Sequence, residues 1–159
     1  SVRTVILFVL LLIGLEMVRA FTSQSAFMVT LTEATAQTVT WMLTLAGELV
    51  RTDGAVIYSP EFNMRIVSEC TAITPIILLG AATLAVRAPL NSKLKGIMFG
   101  ACVLNIVNLA RIISLYYVGV VWPDMVEFVH LVIWQGALVV LAVGLWGFWT
   151  QRLGVLHAK

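Results

Sequence analysis

The stretch GIMFGACVLNIVNLARIISLYYVGVVW, residues 96–122, decides the fold. It is long and apolar enough to cross a bilayer, which needs about 20 residues. Yet Arg111 lies well inside it, with Asn105 and Asn108 before it and Ser114 after it. A charged group near the bilayer centre costs at least ~2.5–3.5 kcal/mol on insertion scales, so such residues face a bundle interior or a wet cavity and mark sites. Residues three apart are neighbours on a helix. The spacing of Asn105, Asn108, Arg111 and Ser114 therefore predicts one polar stripe turned toward other elements.

Composition places that segment in a membrane protein. The chain has 159 residues, of which 60% are hydrophobic and 11% charged, far from the balance of soluble domains. We expect one membrane-embedded domain over residues 1–159. The two cysteines, Cys70 and Cys102, form no CxxC pair, which excludes a thiol-disulfide redox motif. No basic patch suits nucleic acid. Cys70 and His130, even with Glu69 as a third donor, fall short of an ordinary metal site. We expect no metal and no cofactor.

Outward from residues 96–122, other apolar runs predict further crossings. Residues 2–21 form the first, interrupted only by Glu16 and Arg19 near its end. No signal-peptide cleavage pattern follows, so this run reads as a retained anchor. Glu16 and Arg19 are three apart and suited to pair, with snorkelling to the interface as their ordinary role. A polar contact to the active region is the alternative for Glu16. Residues 72–86 form the second crossing, with Pro75 tolerated in the first turn. Pro123 breaks the chain after residue 122, and residues 127–149, carrying His130 and Gln135, form the last crossing.

Residues 22–50 are rich in threonine. Val39, Met42, Leu43, Ala46, Leu49 and Val50 recur at helical spacing, with Glu33, Gln37, Thr40, Thr44 and Glu48 elsewhere on the surface. A membrane-surface helix, a helix packed on the bundle and a fifth crossing all fit. Residues 51–54 read as a turn at Asp53-Gly54. Residues 55–58 and 64–67 read as the strands of a small external hairpin. The expected fold is an all-α polytopic membrane helix bundle: about four transmembrane helices, an amphipathic or fifth helix, and that hairpin.

Charge placement orients the bundle. Arg3, the loop bearing Arg87, Lys93 and Lys95, and the tail with Arg152 and Lys159 belong in the cytoplasm by the positive-inside rule. Residues 33–69 and the reversal at Asp124 belong outside, with Tyr116, Tyr117 and Trp122 near the outer interface. Cys70 then opens its helix at the outer face. His130 lies roughly 5–8 Å into its helix, and Arg111 about 15 Å from the outer end of its own. A thiol, an imidazole and a guanidinium from three helices thus meet in the outer half. Cys102 lies in the inner half and does not bridge Cys70.

That trio suits nucleophilic catalysis. A thiolate is the reactive form of cysteine, and a neighbouring base or cation favours it. Cys70 with His130 can form the nucleophile–base pair of acyl transfer, and Arg111 can hold the oxyanion or the substrate. Asn108, one turn from Arg111, and Glu127, three residues before His130, are candidates to orient them. Glu69, beside Cys70, is a further candidate for positioning or substrate contact. Two other readings stay open. In one, a non-catalytic transporter subunit or anion-binding bundle uses Arg111 as its cation. In the other, the polar stripe docks a partner helix during assembly.

Glu69-Cys70-Thr71-Ala72 at a helix start, Asn108-Leu109-Ala110-Arg111 inside the next helix, and His130 at the start of the last resemble the Cys, Arg and His signature of the exosortase/archaeosortase family. The resemblance covers roughly residues 54–149. Ala72 stands where the family usually has glycine, and the small number of helices resembles the exosortase H type. The resemblance implies a membrane cysteine protease or transpeptidase of the prokaryotic inner (cytoplasmic) membrane, its active site toward the outer face. It implies Cys70 as nucleophile, Arg111 as oxyanion or substrate stabiliser, and His130 as general acid/base. The implied partners are membrane lipid and exported proteins with a C-terminal sorting signal: a short motif, a transmembrane helix and a basic tail. The implied reaction passes through a Cys70 thioester resolved by water or an amine.

Overall fold

The computed structural model describes residues 2–157. Helices dominate: α1 (Val2–Thr22), α2 (Ala26–Leu45), α3 (Ile73–Ala85) and α4 (Leu90–Val121) come first. After Pro123 the last run comprises a 3-10 turn, α5 (Val126–Phe128), a π-helical stretch (Val129–Trp134) and α6 (Gln135–His157). Among the described residues, Val2–Thr22, Leu90–Val121 and Pro123–Arg152 are long and apolar enough to cross a membrane. The remaining apolar helix, α3, has 13 residues. That is about 20 Å of helix, against a hydrocarbon core of about 30 Å.

Two compact units share these elements. The first comprises Ser1–Phe21, Ala72–Asn105 and Ala137–Lys159; the second comprises Thr22–Thr71 and Ile106–Gly136. Helix α4 contributes to both.

In the first unit, small residues allow close packing, the usual device where lipid removes the hydrophobic drive between helices. A Cβ at Gly100 would collide with the Leu79 side chain, and one at Gly96 with the Trp149 indole. That indole donates from Nε1 to the Ser92 carbonyl at 3.0 Å. Lys93 Nζ donates to the Leu84 carbonyl at 2.8 Å. The pair expected near the end of α1 is present, with Arg19 Nε 2.7 Å from Glu16 Oε2.

The second unit is built on α2. Ser25 caps its start, its Oγ accepting from Met28 N at 3.3 Å. Gly47, at φ +94°, ends it. There Glu48 N bonds to Leu43 O and Gly47 N to Thr44 O, the two hydrogen bonds of a Schellman stop. Met28, Thr32, Ala36, Val39 and Leu43 recur at helical spacing and form its buried face. Of the apolar positions picked out in the sequence, only Val39 and Leu43 are buried. The helix is not among the three membrane-length apolar runs. Ala36, Val39 and Leu43 of its buried face join Ile57, Ile66, Ile112 and Tyr116 in one cluster that also includes Cys70. The packing expected of residues 22–50 as a helix against the bundle is therefore present.

The external hairpin is a three-stranded antiparallel sheet in the order β1-β2-β3: β1 (Arg51–Asp53), β2 (Val56–Tyr58) and β3 (Met64–Arg65). The reading of residues 51–54 as a turn needs correcting. Only Gly54 and Ala55 turn, and Arg51–Asp53 pairs with β2 in the register Asp53↔Val56. Gly54, at φ +56°, supplies the positive φ that a two-residue loop needs at its first position.

Candidate active site

Cys70 does not open α3. It is the last residue of the 3-10 turn Ser68–Cys70, and Thr71 beyond it is extended at φ −90°, ψ 157°. Local chemistry explains the break. The Thr71 hydroxyl turns back to the Ser68 carbonyl at 2.6 Å, and Cys70 O is taken by Asn108 Nδ2 at 2.8 Å. Pro75 has no N–H to give to Thr71 O. The first helical bond is therefore Ile76 N to Ala72 O at 3.0 Å. The thiol sits on its own short turn, fastened by a buried amide.

Asn108 and Arg111 are almost fully enclosed, at 3% and 1% exposure. Asn108 joins two parts of the site. Its Nδ2 holds the Cys70 carbonyl, and its Oδ1 accepts from Arg111 Nη1 at 3.4 Å. Arg111 Nε is buried without a partner. Among the described residues, no carboxylate forms a salt bridge with this guanidinium. A buried charge without a counter-ion is costly, and an anion seated there would relieve it.

The expected polar stripe is only half realised. Asn105 is exposed and bonds back to the Ala101 carbonyl, and Ser114 bonds back to Arg111 O at 2.7 Å. Both satisfy themselves on their own helix. A row at i, i+3 drifts around the helix, so only its middle members face the same neighbours.

His130 is half-buried, and its Nε2 is buried without a hydrogen-bond partner. It stands on the π-helical stretch Val129–Trp134. Such local rewinding is frequent at functional sites, and nothing in that apolar run marks it in the sequence. The charges acting on His130 are Arg111 and Glu69, and those acting on Cys70 are the same two. The structure thus brings Cys70, Arg111 and His130 into one electrostatic neighbourhood, with Glu69 exposed at its edge. Among the described residues, no hydrogen bond links Cys70 Sγ directly to His130. Glu127 is exposed and is not among the charges acting on His130.

Burial pushes the Cys70 thiol above its ordinary range. A backbone hydrogen bond with Val67 and the Arg111 charge oppose this, and Glu69 adds to the rise. Arg111 is the one cation acting on the thiol, and its charge favours the ionised form.

A family profile described as transmembrane exosortase matches residues 2–150. The chain belongs to the transmembrane exosortase family. Comparison with curated proteins and with solved structures returns no match. This exosortase-family chain is a multi-pass membrane protein, with its long apolar helices as the spans. The match also takes in α1 and α2, which lie outside the stretch that carried the resemblance.

The second unit holds one feature that sequence reasoning missed. An open cavity of about 600 Å3 lies at the end of α2 beside the sheet, lined by Glu48, Val50, Arg51, Tyr58 and Asn63 among others. The Arg51 guanidinium lies 5.2 Å over the Tyr58 ring. Val50 packs on the cluster that encloses Cys70. The only available signal was the clustering of polar residues around Ser59-Pro60.

Proposed function

We propose that this protein is a membrane cysteine endopeptidase or transpeptidase that cleaves the C-terminal sorting signals of exported proteins. Family membership supports the class of reaction. The observation that carries the residue assignment is the buried bridge Cys70 O–Asn108–Arg111, which ties a thiol-bearing turn to an unneutralised guanidinium.

In this reading Cys70 Sγ attacks the scissile carbonyl as thiolate, after its proton passes to His130. The carbonyl oxygen becomes an oxyanion, and Arg111 stabilises it. Preorganised donors aimed at developing charge usually lower the barrier of such reactions more than any other single effect. The C–N bond breaks as His130 returns the proton to the leaving amine, and a Cys70 thioester remains. Water or an amine then attacks the thioester, and the thiol is restored. Asn108 keeps the nucleophile's turn against the arginine. Glu69 sits at the edge of the site, and Glu127, exposed three residues before His130, is left to contact substrate rather than to orient the ring.

The substrate is an exported protein with a short motif, a transmembrane helix and a basic tail. Its tail shares the side of the Arg87–Lys95 loop, which the positive-inside rule assigns to the cytoplasm, and its motif reaches Cys70 at the outer face of the inner membrane. The test is coexpression with candidate C-terminally anchored proteins, followed by mass spectrometry of their mature ends. Trimming of a candidate that depends on Cys70 supports the reading. Intact C-termini throughout oppose it.

The partnerless Arg111 Nε also favours a second reading, a non-catalytic anion-binding bundle. Cys70→Ser separates the two. An anion binder keeps its ligand in this variant, whereas a cysteine enzyme loses turnover.

A further inference from the structure

Among the described residues, the first unit carries six of the nine Lys and Arg residues but a single acid, Glu16, and that acid is paired with Arg19. Three of the bases line one groove. Arg3, Arg87 and Lys93 surround a cavity of about 400 Å3 whose floor includes Thr4, Ala85 and Val86. Among the described residues, none of the three bases has a salt-bridge partner.

The same Thr4, Ala85 and Val86 also line a second cavity, of about 240 Å3. Its walls are apolar, with Phe8, Leu78, Ala82 and Trp146 among them. The indole Nε1 of Trp146 is buried and has no acceptor. A cationic groove therefore continues into an apolar slot, with an unsatisfied N–H among the slot's lining side chains.

We infer that this continuous cleft is a binding site for an anionic phospholipid, its phosphate headgroup against Arg3, Arg87 and Lys93 and the headgroup-proximal part of one acyl chain in the apolar slot. Charge complementarity selects the headgroup. Basic pockets between membrane helices hold anionic lipids in this way. The slot selects the chain. The basic tail of a substrate's anchor is repelled by the three cations, which leaves an anionic lipid as the better match. An ester carbonyl is the acceptor that Trp146 lacks. This site is separate from the cysteine chemistry, and its test does not depend on turnover.

The experiment is native mass spectrometry of the detergent-purified full chain with phosphatidylglycerol and phosphatidylethanolamine at equal mole fraction. Inorganic phosphate is titrated against the phosphatidylglycerol-bound form. We expect one phosphatidylglycerol retained per chain, preferred over phosphatidylethanolamine by at least about tenfold. The triple variant Arg3→Gln/Arg87→Gln/Lys93→Gln should abolish this preference. Ala82→Phe, which fills the slot and leaves every charge in place, should weaken retention of both lipids. Lys95→Gln, a nearby base outside the cleft, should change neither. Equal retention of the two lipids by the native chain overturns the inference, as does full displacement by inorganic phosphate. A triple variant that keeps its preference, or an Ala82→Phe variant that binds like the native chain, also overturns it.

Discussion

The two units bury different things. Of the buried polar side chains among the described residues, Thr32, Thr71, Asn108 and Arg111 belong to the second unit and only Thr83 to the first. The first unit is an apolar packing of small and aromatic residues with its charge at the rim. The second holds seven acids against three bases, and one of those bases, Arg111, is fully enclosed. Burying an arginine costs stability wherever it is done. The fold accepts that cost only where a thiol and an imidazole share its field. The contrast separates a unit with an apolar interior from a unit with a buried polar site.

That division can be broken first by topology. In a background lacking Cys70 and Cys102, Glu61→Cys and Lys95→Cys place single thiols on exposed positions of the second and first units. An impermeant maleimide applied to intact cells should label position 61 and leave position 95 unlabelled until the membrane is opened. Labelling of position 95 alone would reverse the orientation and move the reactive unit to the wrong side.

A large graded effect is expected at Arg111. Lysine there keeps the charge but loses the planar fork and most of the donors. Arg111→Lys should fold and process substrate at least roughly tenfold more slowly, the equivalent of ~1.4 kcal/mol of transition-state stabilisation. Near-native turnover would mean that the guanidinium geometry is not used. A comparable or smaller effect is expected at Asn108. Asn108→Ala frees the Cys70 carbonyl and removes the side-chain acceptor of Arg111 Nη1. A lost hydrogen bond that strands a buried group costs about 1–3 kcal/mol. Turnover should drop severalfold or more, and a same-size control substitution in the first unit, Thr83→Val, should leave it unchanged.

The mildest expectation concerns pH. Because burial raises the Cys70 pKa, the rate of thiol alkylation should climb with pH through a midpoint above that of a free thiol. Arg111 favours the thiolate, so Arg111→Gln should push the midpoint higher still. A native midpoint at or below the ordinary thiol range would contradict the burial argument.

Much of this was legible in the sequence, for physical reasons that can be named. The spans announce themselves through apolar length, and Arg111 through the cost of placing it there. The Glu16–Arg19 pair follows from helical spacing alone. The face of α2 was harder, because its buried side is built from Met28, Thr32, Ala36, Val39 and Leu43, a mixture in which threonine and alanine do not stand out as core. Strand β1 was hidden because three residues beside an Asp-Gly pair show no alternation to read. The turn that carries Cys70 depends on a side chain 38 positions away, Asn108. The π-helical setting of His130 likewise has no local residue to signal it.

The central claim is that Cys70 becomes covalently acylated with Arg111 and His130 assisting. It is tested most directly by intact-protein mass spectrometry after incubation with a substrate peptide or a thiol-reactive analogue of it. The account predicts one adduct at Cys70 in the native chain, none in Cys70→Ala, and a slow adduct in His130→Ala, where the nucleophile remains but its proton acceptor is gone. An equal adduct in Cys70→Ala, or unimpaired substrate cleavage by that variant, would contradict it.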